Sequence, residues 1–225
     1  MRTLRRVKGR ETYFIMVDVD PRYHEFVRDL HYFPLEEGFG KVFPTNTPGL
    51  DGIYTNFQRD AEDMVLQIAG ARSVPWDECL KAFLDIVRPH DVTWWLCGSA
   101  ALGVRGMEIG PRDIDLVVDG GDAKKLGELL QDHLIEPVVR VEDWFCKWFG
   151  RAFLHARLEW VGGVDERADH PEVGDFGPIA ESRLETVVWR GRQIRLPPLD
   201  LQLRVNERRG LDARVEMIER FLKES

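Results

Sequence analysis

Gly98-Ser-Ala-Ala-Leu-Gly-Val-Arg-Gly106, followed after a short gap by Pro111-Arg-Asp-Ile-Asp-Leu-Val117, decides how this chain is read. An apolar run, Val92-Thr-Trp-Trp-Leu-Cys97, leads into it with the length and composition of a buried strand. Gly98-Ser99 breaks that strand, and Ala100 to Met107 resumes as a short helix. Helix starts present unpaired N–H groups and the positive end of the macrodipole, which suits a phosphate. Glycine lets that phosphate approach the backbone, and Ser99 adds a hydroxyl. After Gly110-Pro111, Asp113 to Val118 reads as a strand with Asp113, Asp115 and Val117 on one face and Ile114, Leu116 and Val118 on the other. Two carboxylates on one pleated face can share a hard divalent cation, and without one their repulsion raises proton affinity.

A third element is Phe153-Leu-His-Ala-Arg-Leu-Glu-Trp-Val161. Read as one strand, it places Phe153, His155, Arg157, Glu159 and Val161 on one face and an apolar set on the other. Glu159 is thus the candidate third carboxylate, with Asp165 as the alternative and Asp119 one pleat beyond the pair. Arg157 is not expected to pair with Glu159, because same-face neighbours two apart in a strand are well separated. Asp-x-Asp and Gly-Ser are each common alone; their combination at this spacing is far more specific.

Working outward, Ser73-Val-Pro75 reads as a boundary between residues 1–72 and 73–225 and as a helix start. Before it, Tyr13 to Asp18 has strand character, Pro21 to Leu30 and Phe57 to Ile68 have helical spacing, and a Gly-rich turn precedes Val42-Phe43. This N-terminal part is expected to form a small α+β unit beside the active-site cleft and to select an acceptor. After it come helical spacing through Val87 and an amphipathic helix over Asp122 to His133, capped by Asp122. Strands are expected around Pro137 to Val141 and Phe153 to Val161. A hairpin of Val187 to Trp189 with Gln193 to Leu196 and two helices split near Gly210 follow. The expected fold is α/β in the broad sense (α+β): a mixed β-sheet flanked by helices, with C-terminal helices.

The 225 residues carry a net charge of −8, with 44% hydrophobic and 31% charged residues. That balance excludes wholesale disorder and disfavours a polynucleotide partner, since phosphate-backbone binding usually needs a basic face. A small acceptor is slightly favoured. The basic opening (Arg2, Arg5, Arg6, Lys8, Arg10) is expected to be a solvated or disordered arm. No apolar run approaches a membrane span, and no secretory signal is seen, so the expected location is cytoplasmic. Cys79, Cys97 and Cys146 are far apart and odd in number, which argues for buried reduced thiols rather than a disulfide or zinc framework.

The stretch Gly98 to Gly106 with Pro111 to Val117 resembles the signature of the DNA polymerase β-like nucleotidyltransferase superfamily. The nearest flavour is the small bacterial group of aminoglycoside and lincosamide nucleotidyltransferases and minimal nucleotidyltransferases of toxin–antitoxin type. The resemblance spans roughly residues 76 to 223; the first 72 residues share none of it. It implies a nucleotidyltransferase-type sheet and two Mg2+ ions held by Asp113, Asp115 and Glu159, which would also carry catalysis. It implies ATP or another NTP as co-substrate, with its triphosphate on Gly98 and Ser99 and with Arg112 and Arg204 assisting. Arg204 stands where relatives often carry a lysine, and its grip on phosphate has a different geometry. The competing reading is a non-catalytic nucleotide- or partner-binding module, such as a toxin–antitoxin component.

Overall fold

In the computed structural model, which describes residues 1–224, the basic opening of the chain is a strand rather than a disordered arm. This strand, β1 (Arg2–Lys8), pairs antiparallel with β2 (Glu11–Val17), from Arg2 opposite Val17 to Lys8 opposite Glu11. The turn between them places Gly9 at φ +63°, a conformation glycine adopts without a Cβ penalty. Arg2 Nε donates to Asp18 at 2.6 Å, Arg5 to Asp51 at 2.5 Å, and Arg6 pairs with Glu37. Exposed pairs of this kind stabilise by about 0–1 kcal/mol each, so the backbone ladder holds the strand. Then follow α1 (His24–Asp29), β3 (Phe33–Pro34), β4 (Phe39–Pro44) and α2 (Leu50–Ile68). The sheet order is β1-β2-β4-β3. Helix α2 buries Ile53, Phe57, Ala61, Met64 and Val65, the three-and-four spacing of one helical face.

The helix that begins after Pro75 is α3 (Trp76–Val87), and β5 (Trp94–Cys97) leads directly into α4 (Gly98–Val104). Next come β6 (Ile114–Val118), α5 (Asp122–Leu129), β7 (Leu134–Arg140), β8 (Trp148–Leu154) and β9 (Ala156–Gly162). The chain ends with α6 (Pro178–Glu181), the hairpin β10 (Glu185–Trp189) and β11 (Arg192–Leu196), then α7 (Leu199–Arg208) and α8 (Asp212–Glu224). The central sheet is mixed, in the order β5-β6-β9-β8-β7, with β6 and β9 parallel and the other neighbours antiparallel. The fold is α+β.

Three local expectations are corrected. Phe153 to Val161 is not one strand: His155, at φ +65°, turns the chain between β8 and β9, with Leu154 opposite Ala156. Arg157, Glu159 and Val161 keep their common face, but Phe153 and His155 leave it. The helix from Asp122 stops at Leu129, and Asp122 is not its cap; the Asp122 carboxylate accepts from Thr93 N–H at 2.7 Å, tying α5 to the start of β5. The strand β8, unforeseen from sequence, supplies the neighbour that β9 needs.

One apolar cluster runs from Phe14 through Phe57, Phe83, Leu116 and Trp160 to Leu196, so both parts of the chain share a core. Ile114, Leu116 and Val118 enter it, while Val117 packs on the opposite face with Trp95 and Cys97. Trp160 lies across Gly150, its register partner on β8, and donates from its indole N–H to the Ala123 carbonyl at 3.1 Å. A Cβ on Gly150 would sit 2.1 Å from the Trp160 ring. Gly150→Ala is therefore expected to destabilise by about 1–3 kcal/mol through overpacking. Thermal unfolding checks this, and an unchanged melting temperature would show the ring free to move.

All three cysteines are buried and free. Burial pushes the Cys79 thiol up to about 12 and the Cys146 thiol up to about 11. No helix among the described residues is long and apolar enough to cross a membrane.

Candidate active site

Sheet register assembles the acidic centre. Asp115 on β6 lies opposite Glu159 on the parallel strand β9, and Glu159 lies opposite Arg151 on β8. Asp113, just before β6, shares the face of Asp115 by the two-residue pleat. One carboxylate oxygen from each of Asp113, Asp115 and Glu159 lies within 4.8 Å of the others. Asp165 stands apart: it caps a short 3-10 turn by accepting from Arg167 N–H at 2.9 Å and pairs with the Arg167 guanidinium. Asp119 accepts from Gly121 N–H at 2.8 Å at the start of α5.

Arg157 enters this centre, against the sequence expectation. Its Nη1 lies 3.2 Å from Glu159 Oε1, and its Nη2 pairs with Asp113. The Cα separation of residues two apart was the wrong quantity, because a guanidinium on a long stem bridges it. A second arginine holds Glu159 from the other side: Arg151 Nε donates to Glu159 Oε1 at 2.5 Å. Arg151 in turn pairs with Glu136 and donates to the Leu30 carbonyl at 2.9 Å, and Lys41 Nζ donates to Glu136 at 2.5 Å. A buried ion chain therefore runs from β4 through β7 and β8 to the acidic centre. Glu136 and Arg151 are the residues that sequence reasoning passed over. Each is a lone charge in an apolar strand (Leu134-Ile-Glu and Phe149-Gly-Arg-Ala-Phe153), a pattern that signals a buried pair.

The carboxylates divide electrostatically. Burial disfavours ionised Glu159, but Arg151 and Arg157 outweigh it and hold the carboxyl below its ordinary value. Asp113 is pushed up by burial and by Glu159 despite Arg157. Asp115 is pushed well up by burial, then by Asp113 and Glu159. Among the described residues no ion pair or hydrogen bond reaches the Asp115 side chain. Three acids converging in this way could hold a divalent cation.

Gly98 opens α4 at φ +62°, and a Cβ there would lie 2.6 Å from Asp115 Oδ2. Both facts require glycine. Gly98→Ala is expected to cost about 1–2 kcal/mol from the left-handed backbone alone, and to displace the Asp115 carboxylate. Thermal unfolding with a crystal structure of the variant checks it; an unmoved Asp115 and an unchanged melting temperature would count against the close approach. Ser99 is buried in the first turn of α4. Arg112 is exposed beside the pair.

A cavity of about 550 Å³ opens over this centre, with Gly98, Asp115 and Glu159 in its wall. Trp144, Phe145 and Phe176 line the apolar side. The cations on its wall are Arg209 and Arg214 from the α7–α8 corner; Arg204 lies on the exposed face of α7 and takes no part in the lining. The helical register explains the exchange, since Val205 and Asn206 of α7 face the cavity and Arg204 turns outward. Asp175, also absent from the sequence reading, is buried in the wall, and burial pushes its carboxyl up. The side-chain oxygen of Asn206, buried at the same wall, has no hydrogen-bond partner. None of the described residues 1–72 lines the cavity; Leu30, through its carbonyl on Arg151, and Lys41, through Glu136, connect them to the centre.

No protein-family model and no curated protein matches the chain. Two solved structures are similar to it. One, from Thermotoga maritima, is described as a nucleotidyltransferase; it is 17% identical over 65% of this chain and 91% of its own, with a TM-score of 0.47. The other is the lincosamide antibiotic adenylyltransferase LnuA with lincomycin bound, 20% identical over 59% of this chain and 85% of its own, with a TM-score of 0.42.

Proposed function

We propose that this protein is a nucleotidyltransferase that moves a nucleoside monophosphate, AMP from ATP, to a hydroxyl of a small acceptor. The observation that carries the reading is the convergence of Asp113, Asp115 and Glu159, the last two in the wall of a ligand-sized cavity, with no ion pair or hydrogen bond to the Asp115 side chain among the described residues. Three oxygen donors of this type fit magnesium, which Asp113, Asp115 and Glu159 would hold as two ions. Bound there, magnesium supplies neutralisation of phosphate charge and a lowered pKa for an attacking hydroxyl.

The chain's own groups divide the remaining work. Gly98 keeps the wall beside Asp115 open, Gly98 and Ser99 receive the triphosphate, and Arg112, exposed just before Asp113, assists. Arg209 and Arg214 offer further positive charge to polyphosphate on the facing wall. Trp144, Phe145 and Phe176 present an apolar surface and Asn206 an unpaired acceptor, a combination typical of small-molecule sites. In the transfer the acceptor hydroxyl gives up its proton to water, its oxygen bonds to the α-phosphorus, the bond from that phosphorus to the bridging oxygen breaks, and pyrophosphate leaves.

The test is pyrophosphate release from ATP across a panel of hydroxyl-bearing small molecules, with and without magnesium. Magnesium-dependent release with one acceptor supports the reading. Tight binding of ATP with magnesium and no release across the panel would favour the non-catalytic nucleotide-binding module instead.

A further inference from the structure

Arg157 bonds two of the three acids that could hold a metal ion, and its surroundings differ from those of the other arginine on the centre. Arg151 is 3% exposed and fixed by Glu136, Glu159 and the Leu30 carbonyl. Arg157 is 12% exposed, and among the described residues its ion pairs are with Asp113 and Glu159 alone. One guanidinium is fixed from three directions; the other is held by the acidic centre's own carboxylates.

Charge counting sharpens the contrast. Lys41, Arg151 and Arg157 stand against Glu136, Glu159, Asp113 and Asp115, which leaves the network one negative charge. A divalent ion added with Arg157 in place would turn this deficit into an excess of positive charge beside a guanidinium already bonded to two of the ligands. Metal and Arg157 therefore compete for the Asp113 and Glu159 carboxylates.

We propose that Arg157 is the resident counter-ion of the acidic centre, displaced when a divalent metal ion binds and then free to pair with the anionic co-substrate. This rests on the metal-centred reading of Asp113, Asp115 and Glu159 and adds to it an order of events. Metal alone binds weakly because it must evict a cation. Metal arriving with polyphosphate binds well, because the evicted guanidinium gains a new anionic partner.

The experiment measures Mn2+ binding to the full chain without nucleotide, by electron paramagnetic resonance of the free ion, for wild type, Arg157→Met, Arg157→Lys and Asp115→Asn. Removing one competing charge from a carboxylate site shifts its equilibria by about 1–3 log units, so Arg157→Met is expected to bind Mn2+ at least about tenfold more tightly than wild type. Arg157→Lys, which keeps a cation, should stay near wild type. Addition of inorganic triphosphate should tighten Mn2+ binding of wild type beyond the chelation measured without protein, and should do so less in Arg157→Met. The sign is decisive, since loss of an arginine that merely supported the carboxylates would loosen the site and weaken binding. Unchanged or weaker Mn2+ binding by Arg157→Met, with Asp115→Asn still abolishing it, overturns the counter-ion role and leaves the metal centre standing. Mn2+ binding indifferent to Asp115→Asn overturns the metal centre itself. Should Arg157→Met fold poorly, the thermal shift induced by Mn2+ in Arg157→Gln gives the same comparison: a larger shift than wild type supports the role, and an equal or smaller one refutes it.

Discussion

Asp115→Asn is expected to abolish nucleotidyl transfer and, in metal-free buffer, to raise the melting temperature. The two effects have one cause. Among the described residues no cation is bonded to Asp115, and burial together with Asp113 and Glu159 outweighs the nearby Arg157 and holds its proton affinity well above that of an unfolded aspartate. A carboxyl whose folded pKa is raised destabilises the native state increasingly as pH rises from its unfolded pKa, and fully above its folded one, because the unfolded chain ionises first. The near-isosteric amide removes that penalty and keeps the packing. For a chain of this size each kcal/mol relieved corresponds to about 2–4 °C, so a rise of several degrees is expected. Activity should fall by at least about 10²–10³-fold, the scale of one electrostatic contact to a transition state. Asp113→Asn should lose activity likewise but gain less stability, because it also breaks the pair with Arg157. Ser99→Ala should be milder, within about 1–2 kcal/mol of one hydrogen bond to a charged group, since the backbone donors remain. Calorimetry with and without magnesium, beside the transfer assay, reads all three. An active Asp115→Asn, or one that melts lower without metal, would remove the metal-centred assignment.

Arg151→Met is expected to be the most damaging single change to stability. It leaves Glu136 with Lys41 alone and Glu159 with Arg157 alone, both in surroundings that penalise charge. Breaking a buried ion pair from one side costs about 3–5 kcal/mol, equivalent to roughly 6–20 °C in melting temperature at this chain length. The methionine keeps most of the stem's volume, so the loss reports charge rather than a cavity. Adding Glu136→Gln should recover part of it, because one orphaned charge disappears, and the double variant should fall short of the sum of the singles. A loss below about 1 kcal/mol would show that water reaches the chain of ions and that it stabilises no more than a surface pair.

The parts of the site that follow local rules were legible in the sequence. Alternation placed Asp113 and Asp115 on one face, and Gly98 before a helix marked a close approach of backbone to something. The third carboxylate was found for a partly mistaken reason: Glu159 faces the pair from β9, but β9 begins after a turn at His155 that no glycine announces. What stayed hidden depends on contacts far apart in the chain. Arg151 reaches Leu30 across 121 positions and Lys41 reaches Glu136 across 95, and no spacing rule connects them. Arg209 and Arg214 lie on the cavity because α7 and α8 turn at Gly210, which sequence located, while the faces they present are set by packing on α4 around Leu102, Leu199 and Ile218. The basic opening was misread because its charges suggested solvation, whereas the pairing of its backbone with β2 was decided by the register of a two-residue turn.

That opening strand has a consequence for how copies of this protein meet one another. β1 is the outer strand of its sheet, and a row of backbone donors and acceptors on its free side is a template for another chain. Leu4 and Val7 are exposed along it, which would make such a template adhesive. Arg2, Arg5, Arg6 and Lys8 guard it: two such edges brought together would oppose cation to cation. Their ion pairs add little to folding free energy, and their value is colloidal. Screening by salt, or neutral residues at these four positions, would leave the monomer folded and make its solutions aggregate as concentration rises.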